Sequence, residues 1–352
     1  MSESSSLTLE SLLAHAIKIG ASDIHIAELE HLAFRVHGEL GKLIASPVIT
    51  PAQCAGLMNE LYHGDMLKVA SFKERRDADF AYVSADGTPF RVNGFYKLGK
   101  LGFVLRRIER EARRMEDLGL PAGVDKILTA KQGLFLITGP TGSGKSTTMV
   151  SVIDKINEAR REHIITIEDP IEFIFTDKNS IFSQREVGRD TESFVSAIRA
   201  AMREDPDIVM VGEMRDRETV EAAMNLAETG HLVFSTLHTS GSVQTINRLI
   251  QFFHPDIQTQ VRVRLADSLL GVLSQRLIPK AEGQGRVGIH ELMFITPAIR
   301  NLIKSGDLVQ INNNIELGSQ DGMITMRNSA DKLRDAGTVK EEDYIGYFTN
   351  NE

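Results

Sequence analysis

The chain has a single cysteine, Cys54, among 352 residues. One thiol forms no internal disulfide and cannot build a four-Cys zinc cluster, so neither a cross-linked scaffold nor a zinc ribbon is open to this sequence. Basic charge is also short: 40 Lys and Arg against 48 Asp and Glu give a net charge of −8, without the cationic footprint that dominates nucleic-acid affinity. No apolar run approaches the ~18 residues of a membrane-spanning helix, and no charged-then-apolar leader opens the chain. Together these absences predict a cytosolic protein whose membrane association is peripheral. No internal repeat is evident. What remains, 42% hydrophobic and 25% charged residues in a chain of this length, suits a soluble globular protein of two domains. Cys54, inside an expected helix, reads as a small buried hydrophobe rather than a reactive thiol.

The most informative stretch is Gly139-Pro140-Thr141-Gly142-Ser143-Gly144-Lys145-Ser146, preceded by the apolar run Gly133–Thr138 and followed by a helical pattern from Lys145 to Arg160. Gly139, Gly142 and Gly144 let the backbone curl with its N–H groups inward. Lys145 reaches the β- and γ-phosphates of a nucleotide, and the Ser146 hydroxyl can ligate Mg²⁺. The expected cofactors are therefore ATP and Mg²⁺, with a binding set running from Gly139 to Thr147. An ordinary Gly-rich turn is disfavoured because the motif sits between a strand and a helix pattern.

Around this loop the chain falls into two rhythms. Before it, Leu9, Leu12, Leu13, Ala16 and Ile17 recur at helical spacing up to Gly20. Strand patterns follow at Asp23–Ala27, Leu32–Val36, Asp77–Val83, Phe90–Tyr96 and Leu101–Ile108, with one helix over Pro51–Ala70 and a turn at Asp86-Gly87. This predicts a small α+β domain over residues 1–110 and a linker over 111–120. From Pro121 the chain alternates strand and helix, with strands at Leu134–Thr138, His163–Ile167, Ile208–Val211 and Leu232–Thr236, which predicts an α/β domain with a mainly parallel sheet. The last hundred residues are expected to be mostly helical.

Chemically competent residues fall where these strands end, the edge at which such sheets bind ligands. Glu213 follows Ile208–Val211 and is placed to orient and deprotonate the attacking water. Glu168 and Asp169 follow His163–Ile167; Glu168 is expected in the metal shell or in catalysis, against the plainer reading that both acids cap the turn at Pro170. His231 and His238 flank Leu232–Thr236. With no Cys or third His beside them they do not make a zinc site, and His238 is placed to sense the γ-phosphate.

The segments Thr166–Glu172, Asp207–Asp216 and Gly230–Thr239 resemble the Asp box, the Walker B motif with a Gly-Glu variant, and the His box of the secretion ATPases of type II secretion and type IV pili. The resemblance is strongest to the PilT-type retraction ATPases and runs nearly end to end, including Gly20–His25 and Phe90–Asn93. It implies a PAS-like N-terminal domain, a RecA-like second domain with a helical C-terminal region, and a homohexameric ring with ATP bound between the domains. It further implies peripheral placement at the inner membrane of the pilus base, an inner-membrane platform protein as partner, and a role for a PilT or PilU paralogue. Ala298–Ser305 keeps six of eight residues of the retraction signature A-I-R-N-L-I-R-E and departs from it at Lys304 and Ser305. An accessory role of the PilU kind is the alternative; bottom-up, the stretch is a short amphipathic helix.

Guanidinium groups stabilise charge developing on a transferred phosphoryl group, and Arg91 and Arg106 match nucleotide-contacting positions of the family, with Arg107 behind them. Two other readings compete with a pilus motor. One is a nucleic-acid translocase, supported by the arginines at 106, 107, 110, 113 and 114 but opposed by the acidic total. The other is a nucleotide-gated scaffold in which Glu213 is silent.

Overall fold

The computed structural model describes residues 7–36, 39–44, 46–108, 110–283 and 285–349. The chain divides into two units, Met1–Glu109 and Arg110–Glu352.

In the first unit Thr8 and Ser11 form a capping box that starts α1 (Leu9–Lys18), and Leu9, Leu12, Leu13 and Ala16 are its buried stripe. Six strands follow: β1 (Ala21–Ala27), β2 (Ala33–Val36), β3 (Glu39–Lys42), β4 (Asp77–Val83), β5 (Pro89–Lys97) and β6 (Lys100–Arg107). They form one antiparallel sheet in the order β3-β2-β1-β6-β5-β4. The helices bury Leu13, Leu57, Leu61 and Phe72 against Ile24, Phe90, Phe103 and Leu105 of the sheet, which is the expected α+β, PAS-like architecture.

The single helix expected over Pro51–Ala70 is two: α2 (Pro51–Leu61) and α3 (Met66–Arg75). His63 and Gly64 adopt left-handed φ of 51° and 73°, and the Asp65 carboxylate caps the new helix by accepting from the N–H groups of Leu67 (3.0 Å) and Lys68 (3.2 Å). The apolar period continues across the break, which hides it. Strand β3 was not anticipated because every residue in it is exposed and none follows an apolar alternation. Cys54 is fully buried, and burial pushes its thiol up to about 12, as an inert core residue requires.

The second unit contains β7 (Gly133–Thr138), α4 (Lys145–Ala159), β8 (His163–Glu168), β9 (Ile181–Glu186), α5 (Phe194–Ala201), β10 (Ile208–Val211), α6 (Arg217–Glu228) and β11 (Leu232–Leu237). It continues through α7 (Ser242–Gln251), α8 (Gln258–Ser268), β12 (Leu269–Pro279) and β13 (Arg286–Phe294). Its sheet has the order β13-β12-β7-β11-β10-β8-β9, parallel except for β13 at the edge. Successive residues of β7 feed opposite layers: Leu134 and Leu136 join one hydrophobic cluster, Phe135 and Ile137 the other. A sheet covered on both faces gives continuous apolar strands, and all six residues of β7 are buried. This is the RecA-like arrangement expected.

The last hundred residues are mostly helical, as expected, except at β12 and β13, which pair from Gly271↔Phe294 to Pro279↔Arg286. Leu269–Leu273 shows no alternation because both faces of β12 are covered, and an apolar run of this kind fits a buried helix equally well. Strand β9 was missed for a different reason, since its Phe182–Arg185 stretch is half-buried and carries polar residues. Four helices follow: α9 (Pro297–Ser305), α10 (Ile311–Leu317), α11 (Met326–Asp335) and α12 (Glu341–Thr349). No helix among the described residues is long and apolar enough to cross a membrane.

Candidate nucleotide-hydrolysis site

Strand β7 leaves the sheet at Thr138, and Gly139, Gly142 and Gly144 then take φ of 146°, 78° and 86°, conformations that side-chain-bearing residues rarely adopt. The loop ends on the first turn of α4, so the unpaired N–H groups of that helix terminus face its bowl. Lys145 is nearly buried and its Nζ donates to the carbonyls of Gly139 (2.9 Å) and Pro140 (3.1 Å). Burial lowers its pKa, opposed by the charge of Glu172. Ser143 carries a buried hydroxyl without a hydrogen-bond partner, while Thr141 and Ser146 are exposed and Pro140 and Thr147 half-buried.

A cavity of about 460 Å³ opens above the loop, lined among others by Lys145, Ser146, Glu168, Glu213 and His238. Glu168 ends β8 and is buried. It accepts from the Thr166 hydroxyl (2.7 Å) and from the backbone N–H of Glu172 (3.4 Å). Burial pushes its pKa up to about 7, and these hydrogen bonds limit the rise. Asp169 is exposed beyond it, joined to Pro170 by a cis peptide bond.

Glu213 lies two residues past β10. Gly212 makes this position possible: its N–H donates to the Ile167 carbonyl (2.8 Å), and its own carbonyl accepts from the Thr236 hydroxyl (2.7 Å). A Cβ at residue 212 would stand 3.3 Å from the Ile167 oxygen, so a side chain there would press on the backbone of β8. The Glu213 carboxylate is paired with Arg215, and its other oxygen lies 3.5 Å from His238 Nε2. Burial first, then the charges of Lys145 and Arg215, hold His238 below its ordinary pKa.

One candidate of the second unit lies elsewhere in its sheet. His231 sits at the opposite end of β11, its Nδ1 3.1 Å from both the Leu226 carbonyl and the Thr229 hydroxyl at the end of α6, a structural role. Arg91 and Arg106 belong to the first unit, face each other in register across β5 and β6, and each holds a carboxylate. Arg91 Nη2 lies 2.6 Å from Asp79 Oδ2, and Arg106 Nε 2.7 Å from Asp23 Oδ1. The Arg106 side chain nonetheless stays 65% exposed, leaving most of its guanidinium open. Among the described residues no cluster of three His, Cys, Asp or Glu side chains could hold a metal.

The sequence reading passed over Thr166, Thr236 and Gln275, which fix Glu168, the Gly212 carbonyl and the phosphate loop in turn. Each is a polar residue within a largely apolar strand.

With its phosphate loop at the carboxyl edge of a parallel sheet, and carboxylates delivered beside it by neighbouring strands, the second unit has the architecture of a P-loop ATPase of the RecA-like class. The family is narrower than the class. Residues 4–345 match the type II/IV secretion system protein family, and the chain belongs to it. It is 41% identical over 336 residues to the type IV pilus retraction ATPase PilT of Pseudomonas aeruginosa, covering 96% of each chain. The type IV pilus ATPase PilU of the same organism is 36% identical, with 97% of this chain and 88% of the relative covered. A crystal structure of the pilus retraction motor PilT with bound ADP superposes with a TM-score of 0.89 at 43% identity, covering 97% of this chain and 96% of that one.

Proposed function

We propose that this chain is a ring-forming motor, a homohexamer, that couples ATP hydrolysis to type IV pilus retraction from the cytoplasmic face of the inner membrane, against a platform protein of the pilus base. The observation that carries the hydrolytic part is Glu213, held beside Arg215 and His238 at the rim of the cavity that Lys145 lines. The likeness to PilT carries the pilus part.

Each residue then has a role. Lys145 gives up its two loop carbonyls for phosphate oxygens; the N–H groups of Thr141, Gly142, Ser143, Gly144, Lys145, Ser146 and Thr147 cradle the remainder, while Gly139 and Pro140, which has no N–H, shape the turn into the loop. The Ser146 hydroxyl and the Glu168 carboxylate would hold Mg²⁺. Two protein oxygens suit this ion, which keeps waters and phosphate oxygens for its other positions. When bound, it offsets the negative charge of the phosphates. Glu213, paired with Arg215, orients water and takes its proton. His238, in reach of Glu213, reports the state of the phosphates to the loop that follows β11. Arg91 and Arg106, side by side on the first unit's sheet, supply guanidinium charge to the developing anion.

An accessory, PilU-like role is the second reading, favoured by the departures at Lys304 and Ser305 from the retraction signature. The acidic total speaks against a nucleic-acid translocase. ATP turnover by the parent and by Glu213→Gln, each with and without single-stranded DNA, tests the reading. Binding retained with turnover reduced about 10²- to 10⁴-fold in the variant is expected, with no response to DNA. Equal turnover in both proteins would remove Glu213 as the base, and stimulation by DNA would favour a translocase.

A further inference from the structure

Strand β12 runs beside β7 only as far as Ser274↔Thr138. At the next step β7 turns away into the phosphate loop, and Gln275 is the first residue of β12 left facing that loop. The fit is close. A Cβ on Gly139 would stand 2.2 Å from the Gln275 carbonyl oxygen, and one on Gly144 would stand 3.1 Å from its Nε2. The same Nε2 donates to the Ser143 carbonyl at 2.6 Å. One buried residue therefore touches the first glycine of the loop, the last, and the serine between them.

The neighbours of Gln275 along β12 reach the other loop of the site. The Ser274 hydroxyl accepts from the Gly241 N–H (2.8 Å), and Arg276 Nη2 lies 2.8 Å from the Ser240 hydroxyl. Across the hairpin, Glu291 of β13 accepts from the Ser242 N–H at 2.7 Å. Ser240–Ser242 is the segment joining His238 and Thr239 to α7. Thr245 of that helix ties Thr239 (2.7 Å) to the Gly241 carbonyl (2.8 Å).

From this geometry we infer that the β12–β13 hairpin is a brace for the reaction centre, in which Gln275 is the positioning residue of the phosphate loop and Ser274 that of the His238 loop. The inference rests on the nucleotide reading above. A loop that turns on glycines at 139, 142 and 144 has no side chain at those three positions to fix its height, and the Gln275 amide and carbonyl meet it there from outside. Ser274 acts on a different segment, the one that follows His238, whose ring lies 3.5 Å from Glu213, rather than one that holds the phosphates. Losing the two contacts should therefore have different kinetic consequences, whereas simple core packing would give the same one.

The experiment uses the full chain as parent, Gln275→Ala, the near-isosteric Gln275→Glu, and Ser274→Ala. It reads the Kd of a fluorescent ADP analogue, KM and kcat for ATP, and the nucleotide-free Tm. Either Gln275 variant should raise Kd and KM about 3- to 10-fold, the worth of one net hydrogen bond, with kcat within about twofold. Ser274→Ala should lower kcat about 3- to 10-fold with Kd close to the parent's. Should Gln275→Ala fail to fold, Gln275→Glu keeps the volume and reads the same bond. Parallel changes in Kd and kcat for both positions that track the loss of Tm, or parent-like values in all variants, would overturn the brace. A parent that binds no analogue would overturn the nucleotide reading and the brace with it. Parent binding matched by Gln275→Glu overturns the brace alone.

Discussion

At the scale of single residues, the site is a set of polar groups held short of their partners. Lys145 donates to two backbone carbonyls, neutral acceptors that a phosphate outcompetes, because an anionic acceptor adds the attraction of opposite charges to the hydrogen bond. Lys145→Ala should consequently abolish tight ATP binding while leaving the nucleotide-free Tm close to the parent's. Calorimetric titration checks this, and unchanged nucleotide affinity would contradict the assignment. The Gly-rich loop, Glu168, Glu213 and His238 were legible in sequence because phosphate and water chemistry restrict both residue type and spacing. Thr166, Thr236 and Gln275 were not. Each acts through one hydrogen bond to a backbone carbonyl or a carboxylate, and nothing in a local pattern announces which strand neighbour will supply it.

At the scale of elements, strands flanked by clear turn residues were read closely: β4 and β10 have the expected bounds, and α1, α4 and β11 differ by a residue or two. The failures come from tertiary context overriding pattern. β12 is covered on both faces and loses its alternation, while the α2–α3 break rests on His63 and Gly64 adopting left-handed backbone within a continuing apolar period. The hairpin also carries a pH signature. His290 of β13 is buried, and burial lowers its pKa to about 4 from an ordinary 6.5. The unfolded chain takes up a proton between these values that the folded chain refuses, so this residue's contribution to stability is lost as pH falls from 6.5 towards 4. His290→Gln should lose less Tm than the parent over that interval, in thermal melts without nucleotide; equal losses would mean that His290 is protonated in the fold.

Helix α9 separates packing from coupling. Ile299 and Ile303 are fully buried, whereas Leu302 is only half-buried against the same cluster, and Lys304 pairs with Asp267 of α8 at 2.8 Å. Ile303→Ala should cost about 2–5 kcal/mol and damage stability and hydrolysis together. Leu302→Ala should spare both far more and yet impair pilus retraction, as expected of a helix that relays motion rather than one that fills the core. Chemical denaturation, ATP turnover and twitching measured on both variants decide this. Normal twitching in Leu302→Ala would leave packing as the helix's whole role.

At the scale of the molecule, the chain joins an antiparallel α+β unit to a RecA-like ATPase unit and belongs to the type II/IV secretion system protein family. This division follows from the change of sequence rhythm, since crossover helices between parallel strands impose a spacing that antiparallel hairpins do not. The central claim is that hydrolysis at Glu213 drives pilus retraction. Its most direct test is the retraction of labelled type IV pili in cells whose own copy of this gene is deleted, supplied with either the parent chain or Glu213→Gln at matched levels. The account predicts retraction with the parent and none with Glu213→Gln. Retraction at the same rate with both, or with neither while the purified parent hydrolyses ATP, would contradict it.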